Sequence, residues 1–209
     1  MTPQPPPAPS RWRASPARLT RLLVGLWLFG TGEGLVVHGD LGASPWTVLA
    51  QGVSVQTPLS IGVATILISG CVLLLWFLLR QRPGLGTLLN AIVIGVAIDV
   101  TLALVSDDPG LAERWAAMLG GVALVAIGSG FYLGAALGPG PRDGLMTGLH
   151  RRTGLPVARV RLAIELTALT AGALLGGTVG VGTLVFAVTI GPAVHAALRV
   201  MSPVAAIDM

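Results

Sequence analysis

The sequence reads LGASP at residues 41–45 and LGPGP at residues 137–141, which lie 96 residues apart. The same offset places GLGTL at 84–88 over GVGTL at 180–184. Of the 78 pairs that the offset aligns from residue 25 to residue 102, 24 are identical, and glycine and proline recur in register among them. The pattern therefore indicates an internal duplication.

The composition is that of a membrane protein. The chain has 209 residues, of which 53% are hydrophobic and only 11% charged, and its mean hydropathy is +0.81. An ordinary soluble domain carries about a quarter charged residues, so we exclude a water-soluble enzyme. The net charge of +4 is interpreted through membrane topology, and no nucleic-acid partner is expected.

The apolar runs predict an all-α fold with six transmembrane helices, each close to the roughly 20 residues that span a bilayer. They cover residues 22–37, 61–79, 87–105, 115–137, 157–175 and 183–200. Each copy of the duplication holds three spans, an odd number, so the second copy must enter the membrane from the opposite face. The prediction is two inverted-topology three-helix repeats, at residues 19–105 and 114–201, an arrangement shared by many secondary transporters. Residues 1–18, rich in proline and arginine, are expected to form a disordered cytoplasmic tail.

The arginines predict the orientation. Twelve of the thirteen precede the first span, follow the second, lie around the connection to the fifth, or end the sixth. These places share one side of the membrane, whereas Arg114 alone lies opposite, beside an acidic loop. Because positive charge gathers on the cytoplasmic side, both termini are predicted to be cytoplasmic in a bacterial inner membrane.

Four segments resemble the bacterial YczE/YitT-like integral membrane proteins. They are LGASPW at 41–46, LGPGPRDGLM at 137–146, RLAIE at 161–165 and GGTVGVGT at 176–183. The resemblance implies a small inner-membrane protein, with some relatives linked to producing or exporting secondary metabolites. The family pattern has an acidic residue after the first Pro-Trp, where this chain has Thr47, while Asp143 stands at the matching point of the second copy.

The two proline-containing connections are candidate functional elements. Ser44 or Gly140 can cap a short helix that Pro45 or Pro141 begins, since proline fits the first helical turn. If both helices dip inward, their amino ends and Arg142 would favour an anionic ligand group. The alternative is that both lie flat at the membrane interface, with Trp46 as an anchor and Arg142 binding lipid headgroups. Asp143 would then only complement the helix dipole.

Ionisable residues inside the spans are candidates for a substrate or proton pathway, because a charge there is costly and tends to face the bundle interior. They are Glu33, Asp99, Glu165 and His195. A structural alternative stands beside each role. Arg161 and Glu165 are one helical turn apart and can neutralise each other; Glu33 can bridge helices, and His195 can bond a carbonyl group.

Several chemistries are not expected. The glycine runs at 84–86 and 180–182 lack the lysine and hydroxyl residue of a phosphate loop, so Gly86 and Gly182 are interpreted as helix starts that pack closely. No hydrolase elbow occurs, and the single cysteine, Cys71, provides neither a disulfide framework nor a cysteine metal site. Enzyme activity, cofactors and metals are not expected.

The leading functional hypothesis is a small inner-membrane transporter that exports an organic metabolite in exchange for protons. The sequence leaves open whether that ligand is cationic, neutral or anionic, and whether the protein forms a homo-oligomer. The rivals are a membrane subunit that captures a ligand or supports an assembly, and a lipid-handling protein that uses the arginine-rich inner rim.

Overall fold

The computed structural model describes residues 10–106 and 108–201. This part of the chain is all-helical and holds eight α-helices and no strand. They are α1 (Pro16–His38), α2 (Pro45–Gln56), α3 (Ile61–Leu79), α4 (Leu85–Leu104), α5 (Leu111–Gly134), α6 (Pro141–Thr153), α7 (Val157–Leu174) and α8 (Val181–Met201). The six long helices correspond to the six predicted spans, and α2 and α6 are the two short helices of the connections.

The first helix begins at Pro16, three residues inside the predicted tail of residues 1–18. The Ser15 hydroxyl accepts a hydrogen bond from the Arg18 amide and caps the helix. Upstream of it, the Leu85 amide donates to the Arg11 carbonyl, which joins this segment to the start of α4. Residues 1–9 of the predicted tail lie outside the described residues.

Five helices in the described part of the chain are long and apolar enough to cross a membrane, namely α1, α3, α4, α5 and α8. The sixth predicted span, α7, is 18 residues long but carries Arg159, Arg161 and Glu165. Apolar side chains also cover the outer surface, including Phe77 (81% exposed) and Leu174 (83% exposed). A soluble protein rarely exposes large contiguous apolar patches, so this surface is suited to lipid.

The central helix pair is α1 and α5, which meet through glycines. A Cβ atom built on Gly25 would lie 2.8 Å from the Gly128 carbonyl oxygen, and one on Gly32 would lie 2.6 Å from that of Gly121. The reverse approaches are equally close, at 2.5 Å and 2.6 Å. Such contacts bring the two backbones together, as small residues do between membrane helices.

The starts of α4 and α8 pack against the connections of the opposite half. The Gly86 amide donates to the Leu137 carbonyl at 2.9 Å, and the Gly182 amide donates to the Leu41 carbonyl at 2.6 Å. At the 96-residue offset Gly86 matches Gly182 and Leu41 matches Leu137, so each contact becomes the other when the two copies are exchanged. The loop that holds Leu41 turns at Gly42, whose φ of +102° suits a residue without a side chain.

Charged contacts divide the described bundle into two ends. At one end, Arg18 donates to the carbonyls of Ala135 and Ala136, and Arg152 donates to that of Leu78. At the other end, Arg114 forms an ion pair with Asp40 at 3.1 Å. The helix ends that the sequence assigns to the arginine-rich side thus lie together.

Candidate ligand cavity

A cavity of about 90 Å³ lies between the amino ends of α2 and α6 and the middle of α1, α3 and α4. Each water needs about 10–15 Å³ of such space, so the cavity can hold several waters or a small organic group. Its lining combines polar and apolar side chains. The residues are Phe29, Glu33, Ser44, Trp46, Thr47, Thr65, Ile68, Ser69, Val72, Asn90, Ile94, Ile98, Tyr132, Gly140, Pro141, Arg142 and Asp143.

Glu33 is the buried charge of the cavity, with 3% of its surface exposed. Thr47 donates a hydrogen bond to its Oε2 atom at 2.7 Å. The Ser44 hydroxyl lies 3.0 Å from both this oxygen and the Thr47 hydroxyl, so its single proton serves one acceptor at a time. Both hydroxyl groups therefore engage the same oxygen, and Oε1 accepts no hydrogen bond from the described residues.

The start of α2 positions these hydroxyls. Ser44 precedes the helix in an extended conformation and Pro45 occupies its first turn, as the sequence predicts. The Ser44 side chain does not cap its own helix, because it turns toward Glu33 instead. The amino end of α2 is thereby joined to a buried residue in the second half of α1.

The start of α6 is held by two aromatic residues. The Trp76 indole donates to the Pro141 carbonyl at 3.0 Å, and its ring occupies the space that a side chain at Gly144 would need. The Tyr132 hydroxyl donates to Asp143 Oδ2 at 2.7 Å. These contacts direct the first turn of α6, and Arg142 with it, toward the cavity.

Arg142 forms no hydrogen bond or ion pair with another described residue. Its half-buried guanidinium group interacts electrostatically, at longer range, with Asp143, Tyr132, Glu165 and Glu33. The Asn90 amide also forms no hydrogen bond in the described part, and the buried Trp46 Nε1 has no partner there. The lining of the cavity therefore keeps donors that have no acceptor in the described part of the chain.

The structure brings three of the seven predicted pathway residues to the cavity: Glu33, Arg142 and Asp143. Among the predicted motif residues, Trp46, Gly140 and Pro141 line it as well, whereas Pro45 begins α2 just outside the lining. Both short helices start at the cavity, which agrees with the inward alternative rather than with two helices lying flat at an interface.

The other four predicted residues do not line the cavity. Asp99 accepts hydrogen bonds from the Ser60 hydroxyl at 2.5 Å and the Gly62 amide at 2.7 Å, so it caps the start of α3. Arg161 and Glu165 form the intrahelical ion pair of the structural alternative, at 3.1 Å. His195 is exposed on α8.

Sequence reasoning missed several residues of the site. Tyr132 and Asn90 are neutral side chains inside apolar spans, where a single polar group carries little signal. Thr47 was noted only as a departure from the family pattern, yet its hydroxyl is the shortest contact of Glu33. The one available signal was position, because Thr47 matches Asp143 at the 96-residue offset.

Fold and cavity together define a helical membrane protein with an internal polar site. Residues 16–199 match the family described as "Family of unknown function (DUF6198)". The chain belongs to this family and is YczE-like.

Two relatives cover most of the chain. An "Uncharacterized protein" of Haemophilus influenzae is 42% identical over 195 residues, which are 93% of this chain and 89% of that protein. The "Uncharacterized membrane protein YczE" of Bacillus subtilis is 35% identical over 179 residues, covering 83% and 82% of the two chains. No solved structure matches.

Proposed function

We propose that this protein is a small transporter of the bacterial cytoplasmic membrane that exports an organic metabolite in exchange for protons. The observation that carries the proposal is the cavity at which α2 and α6 both begin, because it holds a buried carboxylate and a guanidinium group within an apolar bundle. An ionisable residue inside a membrane bundle is a functional-site hypothesis by default. The protein acts on its ligand by moving it, without an enzymatic step.

The proposed architecture is a pair of inverted three-helix repeats. Support comes from the glycine contacts, in which Gly25 meets Gly128 and Gly32 meets Gly121. At the 96-residue offset Gly25 matches Gly121 and Gly32 matches Gly128, so one contact becomes the other when the copies are exchanged. Such reciprocity is the mark of a two-fold axis. The contacts also run α1 antiparallel to α5, and two equivalent spanning helices of opposite direction require an axis in the membrane plane.

The proposal includes α7 as a sixth spanning helix. At about 1.5 Å per residue, its 18 residues reach nearly across a hydrocarbon core of about 30 Å. Its three charged residues lie in its first half, and two of them neutralise each other as an ion pair. Arginine near a helix end can also extend its charge to the interface.

Both termini are placed in the cytoplasm. The arginines of α1 and α6 lie at one end of the bundle, together with the carbonyl groups that accept their hydrogen bonds. At the other end, Asp40 pairs with Arg114 and Glu113 pairs with His38. The positive-inside rule assigns the first end to the cytoplasmic face.

Glu33 is the proposed proton carrier. A proton-coupled exchanger needs a group that can hold a proton or a ligand at the site between its two halves. Glu33 lines the cavity, and one of its carboxylate oxygens accepts from no donor among the described residues. Glu33 also directly follows Gly32, whose contact with Gly121 joins the two repeats.

Flux into proteoliposomes tests the proposal, with a panel of metabolites supplied with and without a pH gradient. We expect gradient-dependent flux, and we expect Glu33→Gln to abolish the dependence because an amide keeps the shape but cannot carry the proton. Glu113→Gln is the matched control, since Glu113 lies at the outer end and is half exposed. Unchanged gradient-driven flux in Glu33→Gln would contradict the proton role, and binding without any flux would favour a ligand-capture subunit.

A further inference from the structure

The cavity presents charges of both signs whose bonding capacity is not met by the described residues. On the α6 side, Arg142 has no hydrogen-bond or ion-pair partner among them, and Asn90 has no hydrogen bond. On the α1 side, Glu33 keeps one oxygen that accepts from no donor in the described part of the chain. Unpaired charge is costly away from water, so a ligand that meets both groups gains from both.

The two carboxylates of the cavity, one on α1 and one on α6, are only partly occupied by donors of the described residues. Asp143 accepts the Tyr132 hydroxyl, and Glu33 accepts two hydroxyl contacts on one oxygen. Neither carboxylate forms an ion pair of 4.0 Å or less within the described part of the chain. The positive and negative groups of the cavity are therefore held near each other without neutralising each other by direct contact.

Resting on the proposed function, the geometry points to a small zwitterion as the ligand, with its carboxylate at Arg142 and its ammonium group at Glu33. A monovalent anion would meet Arg142 but be repelled by Glu33 and Asp143. A monovalent cation would meet the carboxylates but be repelled by Arg142. Discrimination by such like-charge contacts is a common basis of specificity.

The remaining lining fits the same ligand. Guanidinium binds carboxylate through two parallel hydrogen bonds. The lining also includes the aromatic residues Trp46 and Tyr132, and aromatic rings attract cations. The cavity of about 90 Å³ limits the ligand to a few heavy atoms beyond its two charged groups. Short amino acids and short ω-amino acids have this size.

Calorimetric titration of the purified full chain with three matched compounds tests the inference. The compounds are 4-aminobutyrate, butyrate and butylamine, which share one carbon skeleton and differ in charge; glycine and β-alanine extend the zwitterion series to shorter lengths. We expect at least one of the three zwitterions to bind ten-fold or more tightly than both butyrate and butylamine. Equal affinity for an analogue, or no binding by the whole zwitterion series, would overturn the inference.

Arg142→Gln provides the second arm. It should reduce zwitterion affinity ten-fold or more and leave butylamine binding unreduced, because only the carboxylate contact is lost. Arg161→Gln is the matched control, since Arg161 lies on α7 outside the cavity and should leave both affinities unchanged. If Arg142→Gln does not yield a folded protein, the comparison of the three compounds with the unmodified chain decides alone.

The two proposals fail separately. Zwitterion binding without flux would retain this inference and remove transport. Proton-coupled flux of a monovalent anion or cation would retain transport and remove the inference.

Discussion

Glu33 is held by hydroxyl groups and not by a direct ion pair. Thr47 and Ser44 reach the same carboxylate oxygen, and Arg142 acts on it only at longer range. Hydrogen bonds to a charged group contribute more than those between neutral groups. The amino end of α2 is thus joined to α1 by a contact whose strength depends on the state of one carboxylate.

Replacing Thr47 tests this contact. Thr47→Val keeps the side-chain shape but removes the donor, and the loss should destabilise the protein by about 1–3 kcal/mol. Thermal unfolding in detergent provides the measurement, and Thr65→Val is the control, because Thr65 also lines the cavity but bonds only within its own helix. The effect should shrink when Glu33→Gln is already present, as coupled residues show in double-mutant cycles; strict additivity would contradict the assigned contact.

At the level of single residues, the sequence was informative where charge was out of place. Glu33 is predicted because a charge inside an apolar span tends to face the bundle interior, and Arg142 because it follows the proline that begins a short helix, where an amino end favours an anionic group. Asp99 and His195 were predicted by the same rule as Glu33, yet Asp99 caps α3 and His195 is exposed. A charge inside an apolar span indicates that a hydrogen-bond or ion-pair partner must be present. It does not indicate which residue is that partner, since the partner is distant in sequence.

Among the helices, α1 and α5 set the spacing of the bundle. Their four glycines leave carbonyl oxygens of one backbone within reach of the other. Packing of this closeness tolerates no added methyl group unless the helices separate. Gly121 and its neighbour Gly120 differ sharply in this respect, since Gly120 has open space where a Cβ would lie.

Alanine at these two adjacent positions should have opposite effects. Gly121→Ala places a methyl group 2.6 Å from the Gly32 carbonyl oxygen, and overpacking of this kind costs about 1–3 kcal/mol. Gly120→Ala should be neutral or stabilising, because alanine favours a helix by about 0.8–1 kcal/mol over glycine. The melting temperatures of the two variants in detergent make the comparison. Equal melting temperatures would show that α1 and α5 are not in close contact at Gly121.

The helices themselves were largely predictable, and their arrangement was not. Apolar length placed α3 at its observed bounds, and Pro45 and Pro141 marked the starts of α2 and α6. The sequence does not predict the direction in which the short helices point, because an amphipathic segment beside a membrane can lie flat or dip inward. The contact that holds the start of α6 at α3 joins Trp76 to Pro141 across 65 residues, which no local pattern reveals.

The two halves of the molecule differ most in the packing of their last two helices, which are α3 and α4 in the first half and α7 and α8 in the second. α3 packs against α4, with Gly62 and Ile66 at Gly95, whereas α7 and α8 are scarcely in contact. Gly191, which matches Gly95, has open space around it. Part of the difference lies in the sequence, because Ala158 stands where Gly62 is in the first half and its methyl group prevents an equally close approach.

Under the proposed function, the difference in packing between the α3–α4 pair and the α7–α8 pair also reflects one of two conformations of the transporter. Two similar halves that exchange their conformations open one side of a central site while closing the other. The packed α3–α4 pair and the separated α7–α8 pair would then be the closed and open sides of one state. In the alternative state α7 moves toward α8, and Glu165, which matches the cavity residue Ser69, approaches the ligand site.

Paired spin labels can measure this exchange. One pair is Leu166→Cys with Val188→Cys on α7 and α8; the pair at the matching positions on α3 and α4 is Gly70→Cys with Ile92→Cys, and all four sites are exposed. Cys71 is exposed and must be replaced by serine first. Because the proposed exchange is coupled to protons, we expect the α7–α8 distance to shorten as the α3–α4 distance lengthens when neutral buffer is replaced by acidic buffer. The labelled positions do not line the cavity, so the labels leave the site itself intact. Distances that stay fixed in both pairs, or that change in the same direction, would contradict an exchange between the halves and leave the asymmetry as a permanent consequence of residues such as Ala158.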